Sequence, residues 1–259
     1  MAGETITPLP RIMVAPNGAR LTRADHPELP VTIAQTVATA RACFEAGAGG
    51  IHAHVRDADG GHVLDAGLYR ELLDELKLVV PEMACQITTE AVGRYSPAEQ
   101  IALVREVRPQ MVSVALREMT SEGWNAEAQA FYQWCAMRGV AVQHILYEPA
   151  DLDALAAHVT EDRLPAEHLQ LLFVLGRYAD NHTADPADLD AFIDGHARHE
   201  LDADWAVCAF GQTETDILAR ALSLGGKVRV GFENNLINRN GTTAASNAER
   251  VAEIVAVAG

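Results

Sequence analysis

Eight short segments rich in valine and isoleucine recur along the 259-residue chain, each followed by a polar turn and a stretch with helical periodicity. Short apolar runs bounded by turn residues are typical of buried strands, and a 3.6-residue apolar period is typical of helices that cover them. The predicted strands are 11–17, 49–55, 83–89, 111–116, 141–147, 169–176, 204–210 and 227–234.

Three of the intervening stretches are clear helix candidates, at 32–47, 66–80 and 96–108. Thr32 is a plausible N-cap of the first and Gly47 a plausible C-cap. Eight β-then-α units in a chain of about 250 residues predict a closed parallel (β/α)8 barrel, the TIM barrel, formed as one domain over residues 1–259. No Gly-x-Gly-x-x-Gly motif follows the first strand, which argues against an open dinucleotide-binding sheet.

Composition narrows the classes of partner. Hydrophobic residues make up 49% of the chain and charged residues 22%, as in ordinary folded proteins. The formal net charge of −16 disfavours nucleic acid and anionic membrane surfaces, which bind through lysine and arginine. A site for an anionic ligand would therefore need local positive charge that opposes the overall field.

Cysteine usage and the N-terminus predict a cytoplasmic protein. The four cysteines lie far apart without a Cys-x-x-Cys pair, so we expect free thiols in a reducing compartment. The first residues show neither a basic segment nor an apolar core of a signal peptide, and no apolar run approaches 18 residues. The cysteines are Cys43, Cys85, Cys135 and Cys208.

The second predicted strand contains two histidines one residue apart, His52 and His54, whose side chains point to the same face. Active sites of (β/α)8 barrels lie at the carboxyl ends of the strands, and closure places strands eight and two on either side of strand one. Glu233, late in strand eight, should therefore approach the two histidines. A lone His-x-His is more often a satisfied polar pair, but two imidazoles with a carboxylate match a catalytic zinc site.

Other polar residues fall at the same predicted rim. Arg229 lies four residues before Glu233 and should share its face, either as an anion-binding residue or in a structural ion pair. Arg56 and Asp57, directly after the histidines, should pair with each other or anchor a loop. Each remaining residue is individually more often a turn or cap residue, and the evidence is their shared location: Asn17, Arg20, Thr22, His26, Thr88, Thr89, Glu90, Ser113, Gln143 and His144.

Three stretches of the chain resemble the β-keto acid cleavage enzymes, whose founding activity is 3-keto-5-aminohexanoate cleavage. They are N-G-A-R-L-T-R-A-D-H-P-x-L-P-V-T, E-A-G-A-x-x-I-H-A-H-V-R-D-x-D-G and V-R-V-G-F-E-N-N, and the resemblance extends over about residues 11–257. It implies a zinc-bearing (β/α)8 barrel, usually a homotetramer. It also implies condensation of a β-keto acid with acetyl-CoA, which yields acetoacetate and a new acyl-CoA.

The resemblance also implies roles for residues. The metal ligands of the family, for zinc or another divalent ion, fall on His52, His54 and Glu233, and its active-site arginine falls on Arg229. The hydroxyl groups near its substrate fall on Thr88 and Ser113, which we predict to be catalytic together with Arg229. We predict that five further residues of the rim contact the substrate, namely Asn17, Arg20, Thr89, Glu90 and Asn234.

Three positions depart from the pattern of the founding enzyme. Arg20 replaces the glutamate that meets the amino group of its substrate. Asn234, which cannot act as a base, replaces the aspartate that follows the metal glutamate and abstracts a proton together with the arginine in the founding enzyme. An acidic residue of strand five is missing, and either Gln143 or His144 takes its place.

Arg20 gives the sharpest hypothesis about the substrate. A guanidinium repels an ammonium group and pairs with a carboxylate, which favours an anionic β-keto acid, above all a β-keto dicarboxylate. The structural alternative is that Arg20 pairs with an acid of the rim such as Asp25 or Glu90.

Two other functions fit parts of the sequence. A metal-dependent hydrolase of the amidohydrolase kind also uses His-x-His in a barrel, but there the motif belongs on strand one with further histidines on strands five and six. Here His144 fits strand five, whereas strand six has no histidine. A non-catalytic metal- or metabolite-binding barrel is the second alternative, favoured by Asn234.

Overall fold

Strands and helices alternate throughout the computed structural model, which describes residues 6–177 and 183–258. The strands are β1 (Ile12–Val14), β2 (Gly50–Ala53), β3 (Ala84–Thr88), β4 (Met111–Ala115), β5 (Ala141–Leu146), β6 (Leu169–Leu175), β7 (Ala203–Ala209) and β8 (Lys227–Val230). The helices are α1 (Ile33–Glu45), α2 (Ala66–Val79), α3 (Pro97–Val107), α4 (Leu116–Met119), α5 (Ala126–Met137), α6 (Pro149–Thr160), α7 (Asp188–Arg198), α8 (Glu214–Ser223) and α9 (Asn247–Val257).

The eight strands form one closed parallel barrel in chain order. Closure is made by β1, which pairs with β8 on one side and with β2 on the other. Met13 and Val14 pair on both sides, and Met13 has Arg229 as its partner on β8 and Gly50 as its partner on β2. The predicted (β/α)8 barrel is confirmed, and the strands that carry the histidines and the glutamate flank β1 as expected.

Local signals explain where the predicted helices begin and end. Thr32 caps α1 in a capping box with Gln35, and Ser96 does the same for α3 with Glu99. The C-cap of α1 is Ala46, and Gly47 follows it at φ +110°, a conformation that costs glycine little. The predicted helices agree with the structure to within one or two residues at each end.

Apolar side chains fill two layers. The larger cluster lies between the barrel wall and the helices, and includes Ile51, Val112 and Leu171. The smaller one occupies the barrel interior, with Met13 and Met111 among its members. In the described part of the chain, no helix has the length and hydropathy needed to cross a membrane.

All eight strands end earlier than the apolar runs suggest, and β1, β2 and β8 do so by two residues or more. Strand β8 stops at Val230 because Gly231 has φ +142° and lies against β1, where an added Cβ would be 2.4 Å from the Ala15 carbonyl oxygen. Glu233 thus lies in a turn beyond the strand, and its N–H donates to Ala15 O at 3.1 Å. His54 likewise follows the last residue of β2. Both residues stand just above the carboxyl end of the barrel.

Candidate active site

A cavity of about 260 Å³ opens at the carboxyl ends of the strands. Polar and charged side chains from the first, second, third and last strand ends form one wall, and apolar or aromatic side chains from β5, β6 and the residue after β7 form another. The lining residues are Asn17, Gly18, Ala19, Arg20, Leu21, His52, Thr88, Glu90, Ile145, Tyr147, Val174, Arg177, Phe210, Arg229, Glu233 and Asn234.

The three predicted metal ligands meet at this cavity. The Nε2 atoms of His52 and His54 are 3.2 Å apart, and each lies 3.6 Å from Oε2 of Glu233. Both histidines are almost completely buried. The three residues form a group whose ligand atoms could hold one metal ion.

The hydrogen-bond partners of His52 determine which of its ring nitrogens carries a proton. Nδ1 lies 2.8 Å from Oε1 of Gln86, which can only accept, so Nδ1 is the donor and Nε2 carries a lone pair. Gln86 is itself held by Gln143, whose Oε1 accepts from Gln86 Nε2 at 3.0 Å. Burial, reinforced by the charge of Arg229, lowers the pKa of His52 to about 3, so the ring is neutral at physiological pH.

His54 is oriented by a third histidine. Its Nδ1 lies 3.3 Å from Nδ1 of His62, and His62 Nε2 donates to the backbone oxygen of Glu90 at 2.9 Å. The Nδ1 of His62 must therefore accept, and His54 donates to it. Burial lowers the pKa of His62 to about 4, which keeps this residue neutral. His54, like His52, directs an unprotonated Nε2 toward Glu233.

The donor set fits a divalent cation. Two nitrogen lone pairs and a carboxylate oxygen face one another, and Oε2 of Glu233 is buried without a hydrogen-bond partner among the described residues. Three acceptors at such distances repel unless a cation lies between them. Two neutral imidazoles and one carboxylate are a known ligand set of catalytic zinc, and the adjoining cavity leaves further positions for water or substrate.

Arg229 holds the other oxygen of the glutamate. Its Nη2 donates to Glu233 Oε1 at 3.2 Å and lies 3.6 Å from Sγ of Cys208, whereas its Nε and Nη1 are buried and unpaired within the described residues. Burial opposes ionisation of Glu233, but the charge of Arg229 holds the pKa of this carboxyl well below its usual range. The carboxylate is thus ionised and oriented.

The glycine of the N-G-A stretch makes room for this glutamate. Gly18 has φ +57°, and an added Cβ would stand 2.6 Å from Cγ of Glu233. Asn17, the preceding residue, clamps the backbone of His54, since its Nδ2 donates to His54 O at 2.9 Å and its Oδ1 accepts from His54 N at 3.2 Å. The first loop therefore positions two of the three ligands.

The predicted hydroxyl residues separate into two groups. Thr88 lines the cavity, and its Oγ1 accepts from the N–H of Glu90 at 3.0 Å. Ser113 is paired in register with Thr88 but lies outside the cavity wall, with its Oγ buried and unpaired among the described residues. Thr89 is fully buried and donates to Ser113 O at 3.1 Å. Thr88 is therefore the one of the three that faces the cavity.

Arg20 forms an ion pair with Glu90, since its Nη1 donates to Oε1 of that residue at 2.8 Å. The structure therefore shows the pairing that we considered as an alternative to substrate recognition. Asp25, the other candidate partner, instead accepts from the backbone N–H of Thr22 at 2.8 Å. The side chain of Arg20 remains 55% exposed, so the pairing with Glu90 does not bury it.

Other candidates have structural roles. Arg56 anchors the first loop by donating to the backbone oxygens of Asn17, Gly18 and Leu21, and it does not pair with Asp57. Nε2 of His26 lies 2.9 Å from the backbone oxygen of Ala244.

Neither of the two strand-five candidates lines the cavity. Gln143 supports Gln86 and so belongs to the hydrogen-bond network behind the metal ligands. His144 packs against Tyr132 of α5, with 5.2 Å between ring centroids, and does not line the cavity. The hydrolase alternative thereby loses the histidine of strand five on which it depended.

Four residues of the site escaped the sequence analysis. His62 follows a D-A-D-G-G turn that folds the chain back, so that Arg56 and His62 form an antiparallel bridge. In the sequence, this turn was the feature that could have indicated the position of His62 beside the metal ligands. Gln86 lies within the predicted third strand, and Tyr147 and Arg177 follow β5 and β6 as ordinary rim residues.

Comparison with known proteins gives a consistent result. A family model described as beta-keto acid cleavage enzyme matches residues 11–259. A 3-keto-5-aminohexanoate cleavage enzyme of Acetoanaerobium sticklandii is 28% identical over 247 residues, covering 93% of this chain and 88% of the relative. A 3-oxoadipate:acetyl-CoA acetyltransferase of Cupriavidus necator is 26% identical over 261 residues, covering 95% and 87%.

The fold also resembles solved structures. ObcA in complex with oxaloacetate superposes with a TM-score of 0.66 at 17% sequence identity. The match covers 89% of this chain and 63% of ObcA, so the chain spans somewhat less than two thirds of that protein. At this identity the likeness concerns the fold alone.

Proposed function

The chain belongs to the β-keto acid cleavage enzyme family, and we propose that it condenses a β-keto acid with acetyl-CoA to give acetoacetate and a new acyl-CoA. His52, His54 and Glu233 would hold zinc or another divalent ion for this reaction. The observation that carries the proposal is the convergence of three ligand atoms beside Arg229 on one cavity.

The residues around the cavity suit a β-keto acid. A bound divalent ion would polarise the ketone and stabilise negative charge that develops on its oxygen. Nε and Nη1 of Arg229 are available to bind the substrate carboxylate, and the hydroxyl proton of Thr88 can be donated into the cavity because its oxygen already accepts from Glu90. Ile145, Val174 and Phe210 provide an apolar wall for the acyl chain.

Local charge favours an anionic acyl tail. Three arginines and two glutamates line the cavity of a protein whose net charge is −16, and a divalent ion would add to this positive charge. The ion pair with Glu90 engages Nη1 of Arg20, and a guanidinium has five N–H donors, so a second carboxylate can bind its other edge. The name of the Cupriavidus relative specifies a β-keto dicarboxylate. We therefore propose that the substrate is a β-keto dicarboxylate whose distal carboxylate binds Arg20.

A substrate panel tests this proposal directly. Purified protein is assayed with acetyl-CoA and a dicarboxylic, a neutral aliphatic and an aminated β-keto acid, and the acyl-CoA formed is identified by mass spectrometry. The dicarboxylate should be preferred, and Arg20→Glu should weaken that preference by about 1.5–3 kcal/mol, the range for a hydrogen bond to a charged group.

The matched control for this experiment is Arg41→Glu, the same change at an exposed arginine of α1 that pairs with Glu45. It should leave the ranking of substrates unchanged. Failure of the wild type to form an acyl-CoA from any of the three compounds would refute the proposed activity. An unaltered ranking in Arg20→Glu would refute the role of Arg20 alone.

The remaining expectations concern metal, assembly and compartment. We propose zinc as the native metal, a homotetramer as the assembly and the cytoplasm as the location. The donor set supports the first, the family resemblance supports the second, and the four free cysteines support the third. Metal analysis of the purified protein and light scattering coupled to size-exclusion chromatography test the first two.

A further inference from the structure

The proposed reaction requires a group that removes a proton. A β-keto acid becomes a carbon nucleophile only when the carbon between its ketone and its carboxylate loses a proton to a base. Glu90 and Glu233 are the carboxylates among the described residues that line the cavity. Asn234 also lines it, but an amide cannot take up a proton at neutral pH.

Glu233 has one oxygen bonded to Arg229 and the other directed at the proposed metal site. Oε1 accepts from Arg229, and Oε2 faces the two histidine Nε2 atoms at 3.6 Å, where the metal would lie. A carboxylate that binds a metal through one oxygen and an arginine through the other is poorly placed to accept a proton. This leaves Glu90 as the carboxylate with a suitable position.

Three contacts hold Glu90 in place. Its N–H donates to Thr88 Oγ1 at 3.0 Å, its backbone oxygen accepts from His62 Nε2 at 2.9 Å, and its Oε1 accepts from Arg20 at 2.8 Å. The second carboxylate oxygen, Oε2, makes no hydrogen bond within the described residues and lies 4.0 Å from Nε2 of His54. One oxygen is thus fixed by an arginine while the other is directed toward the metal ligands.

We propose that Glu90 is the catalytic base and acid of the reaction, and this rests on the proposed function. A substrate whose ketone and carboxylate face the metal ligands would present the carbon between them to Oε2 of Glu90, because this oxygen lies 4.0 Å from Nε2 of His54. The C–H bond of this carbon breaks, the proton moves to Oε2, and the electron pair enters the enolate. The ion pair with Arg20 then orients the base.

The same proton serves the rest of the sequence. The enolate carbon attacks the thioester carbonyl of acetyl-CoA, and the thiolate of coenzyme A leaves. That thiolate attacks the carbon of the original ketone and becomes part of the new acyl-CoA. The bond between this ketone carbon and the carbon that was deprotonated then breaks, and its electron pair remains on the acetoacetate enolate. Glu90 returns its proton to this carbon, so the protein regains its starting state without another acid or base.

Hydrogen exchange at the substrate carbon tests the base separately from the acyl transfer. The protein is incubated with the β-keto acid in D2O without acetyl-CoA, and loss of the signal of these protons is followed by NMR against a sample without protein. Glu90→Gln should slow the catalysed exchange by about 10²-fold or more, the usual contribution of a general base, and should slow turnover with acetyl-CoA similarly. Its metal content should remain that of the wild type.

Two further variants make the result specific. Glu90→Asp retains a carboxylate on a shorter side chain and should recover part of the exchange that Glu90→Gln loses. Glu118→Gln is the matched control, because Glu118 is a nearby, half-buried carboxylate that accepts from Ala91 N at 3.0 Å and does not line the cavity. It should exchange the substrate protons at the wild-type rate.

Three outcomes would overturn the assignment. The first is that the Glu90→Gln variant still turns over and exchanges the substrate protons at the wild-type rate. The second is that this variant loses its metal, which would identify Glu90 as a ligand. The third is equal loss of exchange in Glu118→Gln. An absence of acyl-CoA formation by the wild type would instead refute the proposed function, which keeps the two failures distinct.

Discussion

Two buried arginine–glutamate pairs in this barrel have opposite surroundings. Arg250 of α9 donates to Glu214 at 2.8 Å, to Thr215 at 3.0 Å and to Asn238 at 3.2 Å, and it also pairs with Glu253. Neither Arg250 nor Glu214 is among the described residues that line the cavity at the carboxyl ends of the strands.

The second pair is Arg229 and Glu233, joined by one hydrogen bond of 3.2 Å. Here two guanidinium nitrogens and one carboxylate oxygen are buried and have no hydrogen-bond partner among the described residues, whereas the first pair leaves one nitrogen of Arg250 and one oxygen of Glu214 in that state. Both side chains line the cavity. Arg250 thus joins helices α8 and α9 through several bonds to the protein, whereas Arg229 and Glu233 retain atoms that can bind a ligand.

The surroundings of the two glutamates also shift their pKa values in opposite directions. Burial raises the pKa of Glu214 to about 7 although Arg250 opposes the shift. Burial also disfavours ionisation of Glu233, yet the charge of Arg229 lowers the pKa of this carboxyl well below its usual range. A buried ion pair is therefore not in itself a sign of function. Unsatisfied atoms that face a cavity are.

The largest effect is expected at the metal ligands. His54→Ala removes one of the three atoms that converge on the site, so the variant should lose both the divalent ion and the activity. Metal analysis and the acyl-CoA assay measure these losses, and His199→Ala, at an exposed histidine paired with Asp153, is the control. Full activity in wild-type protein stripped of metal would contradict the proposal.

The structural pair should determine stability. Arg250→Met leaves the buried Glu214 and the partly buried Glu253 without their partner. Removal of one member of a buried ion pair typically costs about 3–5 kcal/mol of unfolding free energy. Urea denaturation followed by circular dichroism measures this cost. A loss below about 1 kcal/mol would show that the four contacts of Arg250 stabilise the barrel little.

The cavity-lining pair should determine turnover instead. Arg229→Met should reduce turnover by roughly 10²-fold if Arg229 stabilises charge that develops in the transition state. In metal-loaded protein its unfolding free energy should fall less than that of Arg250→Met, because the bound ion continues to compensate Glu233. An unchanged rate together with a large loss of stability would assign Arg229 to structure.

The smallest expected effect is a difference in pH dependence. The pKa of Glu214 in the folded protein, about 7, lies above its ordinary value of 4.5, so the folded state binds this proton more tightly than the unfolded state. The contribution of the Glu214 proton to the free energy of unfolding is therefore fully present below pH 4.5 and declines as the pH rises toward 7. Relative to Glu214→Gln, the wild type should lose about 2.5 kcal/mol between pH 5 and pH 8. Denaturation curves at both pH values measure this difference, with the exposed Glu82→Gln as control.

Much of this molecule could be predicted from the order of its residues. The apolar runs and their spacing determine eight strands and the helices between them, because a period of two or of 3.6 residues decides which face is buried. Chain order then places strands β8 and β2 beside β1, so the meeting of Glu233 with His52 and His54 required only the barrel topology. These features depend on local periodicity and connectivity.

Pairing between side chains was decided by the tertiary structure. Arg20 and Glu90 are 70 residues apart, and both occur at the rim in the sequence, yet only their positions in the folded chain join them by a hydrogen bond. His62 and Gln86 orient the metal ligands from a loop and from a neighbouring strand. A hydrogen bond exists or fails within a few tenths of an ångström, and such distances are set by how the loops pack above the barrel rather than by the pattern of residues along the chain.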